Sequence, residues 1–228
     1  MLKQFKKFKK FKLWAIILSV CVIAAVIMVA CINLFGGTKL NFNAAFYYVC
    51  YQSPTDNSSM VSISDLVQSY GGAGYIATCN NQSYVTISCY YSQEDANTVC
   101  TQLNKKGLSC KVVKAQTPQR KLFGKARDNL KKYEGNLNTL YSISQACYQL
   151  ANSVDNLEVG QKGAKSVLNE IKGVLNGLAT GNEDNCFKEE IDYLVTQCDD
   201  ITYGYVFSYS IRRLQIAVCD CIVNVNIY

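Results

Sequence analysis

The sequence predicts an α+β protein in three parts. These are an N-terminal transmembrane helix, a βαββαβ sheet unit, and a C-terminal antiparallel helical bundle. Three observations carry that prediction. Residues 13–35 form a long apolar run without charge. Residues 46–114 alternate strand-like and helix-like signals. Residues 119–228 carry apolar stripes that step by three and four.

The first part begins with a basic tail. The chain of 228 residues has 23 basic and 17 acidic groups, and six of the lysines fall within residues 1–12. Removing those six leaves 17 of each sign, so the body is net neutral. Residues 13–35 follow, and a helix crosses the hydrocarbon core with about 20 apolar residues. A basic flank before such a run predicts a cytoplasmic tail (1–12) and an extracytoplasmic C-terminus at the cell membrane. Phe5, Phe8 and Phe11 are spaced among the lysines and could rest in the headgroup region, although a plain topology signal is the preferred reading. The run is long for a cleaved signal peptide. Met28-Val29-Ala30-Cys31 resembles a lipobox and leaves lipidation of Cys31 open. Residues 36–45 read as a linker.

The sheet unit follows, over 46–115. Phe46 to Gln52 is aromatic and β-branched, a strand by propensity. Ser62 with Asp65 resembles a capping box, and a helix then runs through Tyr70 to stop at Gly71-Gly72. Tyr75 to Cys79 is a second strand, and Asn80 to Ser83 a hairpin loop. Tyr84 to Tyr90 alternates, with Val85, Ile87 and Cys89 on one face and Thr86 and Ser88 on the other. Ser92 caps a helix with Glu94 and Asp95 in its first turn and Ala96, Val99, Cys100 and Leu103 as its buried stripe. Lys105-Lys106-Gly107 ends it, and Cys110 to Lys114 is the fourth strand. This order is the ferredoxin-like plan, with both helices on one face of the sheet and the other face open.

Gln116-Thr117-Pro118 marks a boundary before the bundle, residues 119–228. Its stripes are Leu130, Tyr133, Leu137, Leu140, Ser144, Cys147, Ala151; then Ala164, Val167, Ile171, Val174, Leu178; then Phe187, Ile191, Leu194, Cys198, Ile201, Tyr205; then Ile211, Leu214, Val218, Ile222. Short turns between such stripes indicate antiparallel neighbours. The aromatic run Tyr203, Tyr205, Phe207, Tyr209 reads as core and groove packing.

Composition excludes several functions. A neutral body argues against nucleic-acid binding. The absence of histidine removes Ser-His-Asp and Cys-His catalysts and His-ligated metals. The pairs Glu94-Asp95, Glu189-Glu190 and Asp199-Asp200 are helix neighbours that point apart, so nothing marks a two-carboxylate glycosidase. No enzyme, cofactor or metal is expected. Twelve cysteines occur without a CxxC pair, and many fill slots that suit valine or alanine. They read as small buried hydrophobes rather than a disulfide framework.

One resemblance adds to this reading. Tyr84-Val-Thr-Ile-Ser-Cys-Tyr-Tyr-Ser-Gln-Glu-Asp-Ala96, then Leu103 and Lys106-Gly107-Leu108, resembles the second half of a sporulation-related repeat (SPOR) domain. Phe46 to Gln52 resembles its first strand, and Gly71 to Ile76 the passage into its second. Gln52 and Ser88 stand where the family has a glycine. The resemblance covers about a third of the chain. It implies non-catalytic binding of peptidoglycan, chiefly glycan strands lacking stem peptides, in cell division or sporulation. The open sheet face would carry the ligand on Tyr48, Cys50, Gln52, Tyr75, Thr86, Ser88 and Tyr90, with Tyr84 at the rim. Tyrosine suits a neutral sugar, because it offers an apolar ring and a polar tip. The competing reading is a membrane-anchored structural or protein-interaction scaffold, in which the bundle binds a partner or a second copy. An RNA-recognition sheet is excluded by the missing basic-aromatic pattern on the third strand.

Overall fold

The computed structural model describes residues 37–52, 57–180, 187–225 and 227. Among them are seven helices and two small sheets, an α+β architecture. The predicted transmembrane helix requires a correction to the expected architecture. No helix among the described residues is long and apolar enough to cross a membrane. The run 13–35, the basic tail and Cys31 lie outside the described residues.

The described chain forms two compact units. The smaller holds 37–40 and 120–130. In it β1 (Thr38–Lys39) pairs antiparallel with β6 (Lys121–Leu122), and α3 (Gly124–Asp128) follows. Gly37 lies so close to the Phe123 ring that an added Cβ would sit 2.6 Å from it.

The larger unit holds 41–119 and 131–227, and so includes both the sheet and the later helices. Its sheet contains β2 (Ala45–Tyr51), β3 (Tyr75–Cys79), β4 (Gln82–Tyr90) and β5 (Cys110–Gln116), in the antiparallel order β3-β4-β2-β5. The helices α1 (Asn57–Ser69) and α2 (Gln93–Lys105) join its strands, which is the βαββαβ order read from the sequence. Local chemistry explains the boundaries. Ser92 accepts from the amides of Glu94 and Asp95 and starts α2. Gly107, at φ +89°, takes the left-handed turn after Lys106 that ends it. Asn80 and Asn81 both hold positive φ (51° and 61°) and close the β3–β4 hairpin in two residues.

One detail departs from simple alternation. Val49 pairs with Ser88 and Cys50 with Thr86, so Ile87 is an extra residue on β4. This bulge moves every later β4 side chain to the opposite face. Val85 and Ile87 pack with Met60 and Val67 of α1. Tyr90 then joins Val49, Ala96, Cys100 and Cys110 on the same helix-covered side. Cys89, expected beside Val85 and Ile87, faces the other way.

The remaining helices are α4 (Leu130–Asp155), α5 (Gln161–Thr180), α6 (Lys188–Tyr203) and α7 (Ser208–Asn224). Gln161 bonds Val206 and Lys172 bonds Asp199, so α5 and α6 run antiparallel. Their cores follow the expected period with one rotation. On α5 the buried residues are Ala164, Leu168, Ile171 and Leu175, whereas Val174 is 47% exposed. The third and fourth stripes are separate helices, interrupted at Gly204–Phe207. On α7 burial runs without a break from Leu214 to Cys219. Six consecutive residues pass right round a helix, so this stretch is enclosed on every side rather than lying on the surface.

Candidate functional site

The central position of α7 decides the fate of the sheet face. The face away from α1 and α2, expected to be open, is covered by α7 and bordered by α4. Gln215 donates Nε2 to the Cys89 carbonyl at 3.3 Å. The thiols of Cys89 and Cys219 meet at 3.8 Å. Asp220 accepts from the Tyr75 hydroxyl at 3.3 Å and from the Thr78 amide at 3.2 Å. Asn224 donates to the Thr78 carbonyl at 3.0 Å and to Asp220 at 2.8 Å. Thus α7 also occupies backbone groups on the free edge of β3, a recognised means of blunting a sheet edge. At the α4 border, Tyr91 donates to Ser144 at 2.9 Å. Phe46, Tyr91, Tyr141 and Tyr148 meet there mainly edge-to-face, with centroids about 6 Å apart.

The expected glycan-binding residues are therefore divided. Tyr48 is fully buried, and its hydroxyl has no hydrogen-bond partner among the described residues. Burial pushes its ionisation well above the ordinary value, and Cys219 and Cys89 push the same way. Cys50 is buried, its thiol pointing to the Tyr48 carbonyl at 3.8 Å. Thr86 is buried and donates to the Tyr75 carbonyl at 2.7 Å. Tyr75 is half-buried against Asp220. Ser88 and Tyr90 lie on the α2 side of the sheet because of the bulge, and Tyr90 packs edge-on to Tyr148. Gln52 and Tyr84 keep access to solvent at one end of the sheet, Tyr84 being half-buried. Gln52 is exposed beyond β2 and accepts from the Ser109 hydroxyl at 3.2 Å. Lys111 places its ammonium 4.7 Å from the Tyr84 ring centre.

Among the described residues, Asp220 is the carboxylate drawn into this interface. Burial raises its pKa to about 6, against the opposing pull of donors from Thr78, Tyr75 and Asn224. The interface is thus polar and thiol-rich, and it holds no group of three or more potential metal ligands among the described residues.

A different surface stands out on the α6–α7 turn. Tyr203 is 96% exposed, Tyr205 64% and Phe207 44%. This corrects the expectation that the run packs in the core. Extended backbone at Gly204 and Phe207 makes side chains alternate, so Val206 is buried while its neighbours point outward. Gln161 fixes the turn by bonding both the carbonyl and the amide of Val206, at 2.8 and 2.7 Å. Phe207 lies against Tyr205 (4.8 Å) and stacks on Tyr209 at 5.2 Å and 15°. Beside Tyr203 is a depression lined by Lys165, Asn169, Asp199, Asp200 and Thr202. The legible signal was the interruption itself: Gly204 inside an apolar stripe breaks the helix and turns the neighbouring aromatics outward.

No family model matches the chain, and neither a curated protein nor a solved structure does.

Proposed function

We propose that this chain is a non-catalytic interaction scaffold that engages a protein partner through the aromatic turn 203–209. The observation that supports the reading is the exposure of Tyr203, Tyr205 and Phe207 on a turn pinned from behind by Gln161. Large aromatics are costly to leave in water and rarely cluster on a surface without a use. Tyrosine is also enriched at the energetic centres of interfaces, because its rigid ring loses little entropy on binding. A pinned turn keeps that loss small. Residues 1–35, on which the membrane expectation rests, are not needed for this proposal.

The test is photo-crosslinking from a reactive side chain placed at Tyr203, compared with one placed at exposed Thr101 on α2. A discrete cross-linked partner from position 203 alone supports the proposal. Equal, diffuse labelling at both positions removes it.

A second reading, glycan binding, is favoured by Tyr84 and Gln52 remaining accessible at the end of the sheet. Full-length protein in detergent would be incubated with intact sacculi and with sacculi stripped of stem peptides. Retention on the stripped material that falls when Tyr84→Ala is introduced supports this reading. Retention insensitive to that change moves any sugar site elsewhere.

A further inference from the structure

The geometry points to a latent disulfide between Cys89 of β4 and Cys219 of α7, a covalent staple that holds α7 over the sheet. The two sulfurs are 3.8 Å apart, although the residues are 130 positions apart in sequence. Cys89 is 1% exposed and Cys219 fully buried, so both are held in place by packing. The bulge at Ile87 is what turns Cys89 towards α7. Gln215, one helical turn before Cys219, bonds the carbonyl of Cys89 itself and fixes the register of helix on strand. A disulfide needs the sulfurs to close from 3.8 Å to about 2.05 Å.

Burial pushes the ionisation of the Cys219 thiol up, and the thiolate is the attacking species. The bond therefore forms while the chain folds, before α7 closes over β4. The oxidant is a small disulfide such as oxidised glutathione. The Cys219 thiolate attacks one of its sulfurs, breaks the S–S bond and expels one glutathione thiolate. The Cys89 thiolate then attacks the Cys219 sulfur of the mixed disulfide and expels the second. Two protein thiols lose two electrons and two protons, and one oxidised glutathione becomes two reduced molecules.

The test refolds the full chain, in detergent, with and without a glutathione redox buffer, followed by peptide mass analysis without reduction. The expected product is one cross-linked pair containing Cys89 and Cys219, lighter by two hydrogens. Closing so long a loop should raise Tm by on the order of 10 °C, reversibly with reductant. That rise should vanish in Cys89→Ala and Cys219→Ala and persist in Cys221→Ala. Protein already folded in the reduced state should form the bond at least about tenfold more slowly. Should refolding fail, the same pair is sought after diamide treatment of protein loosened in urea just below its unfolding midpoint. Absence of the pair from the refolded or the urea-loosened protein, or Cys219 joined to Cys147 or to a sulfur other than Cys89, overturns the assignment.

Discussion

The two faces of the central sheet are built from different chemistry. Towards α1 and α2 the contacts are apolar: Val49 with Ala96 and Cys100, and Val85 with Met60 and Val67. Towards α7 the face carries the orphan hydroxyl of Tyr48, the buried hydroxyl of Thr86, facing thiols and the carboxylate of Asp220. The first face is held mainly by burial, with the buried Ser88 hydroxyl its polar exception and bonds from Ser64 to Gly74 and from Asn104 to Cys110 at its margins. The second is held by burial together with hydrogen bonds whose polar atoms lose water on closure. Polar residues on a sheet face therefore do not by themselves mean an open face. They can equally be matched by a polar-laced helix from elsewhere in the chain.

The largest test of this contrast is Val49→Asp. An uncompensated carboxylate at a fully buried position should cost more than about 4 kcal/mol and leave little folded protein at neutral pH. Circular dichroism with urea titration would show it, and a cooperative transition near that of wild type would refute the apolar assignment.

Asp220 gives the next effect. Its folded pKa, about 6, lies above the ordinary 3.8, so folding favours the protonated form. That contribution is complete below about pH 3.8 and is lost as pH rises through about 6. Between these limits wild type should lose on the order of 2 kcal/mol relative to Asp220→Asn. The nearby Tyr75, Tyr48 and Cys79 have their ionisation raised and stay neutral in this window. Parallel stability curves for the two proteins from pH 4 to 6.5 would exclude a buried, shifted Asp220.

Tyr48→Phe should act in the opposite direction from a usual core substitution. It removes a buried hydroxyl without a partner and keeps the ring, so stability should be unchanged or rise by about 1 kcal/mol. A loss of that size would mean that the hydroxyl is satisfied in solution.

The smallest stability effect belongs to Tyr203→Ala, within about 0.5 kcal/mol, because the side chain is almost wholly in solvent. Partner capture should nevertheless fall at least about tenfold. Capture at the wild-type level would relocate the interface.

The sequence made the strand and helix order of 46–114 legible because its punctuation is local: Gly71, Asn80-Asn81, Ser92 and Gly107 act within a few residues. The cover over the sheet was not legible from the stripes Ile211, Leu214, Val218 and Ile222, which describe a helix with one buried side. The signal that existed lay between them. Gln215, Ile216, Ala217, Cys219 and Cys221 are small, apolar or uncharged, so α7 offers almost no solvent face. The β4 bulge had no such signal, since Ile87 and Ser88 suit either face. It relocated Ser88 and Tyr90 away from the expected ligand surface.

The helix that covers the sheet is synthesised well after the sheet itself. By the time β5 ends at Gln116, every strand of the sheet exists, but α7 begins only at Ser208. At about 5–20 residues per second, the ribosome needs on the order of 5–20 s to supply it. During that interval Thr78 on the outer edge of β3 lacks the side chains of Asp220 and Asn224, and the Tyr48 face is bare. A nascent chain paused before Ser208 would present an unpaired strand edge beside an uncovered aromatic surface, and chaperone capture should peak there.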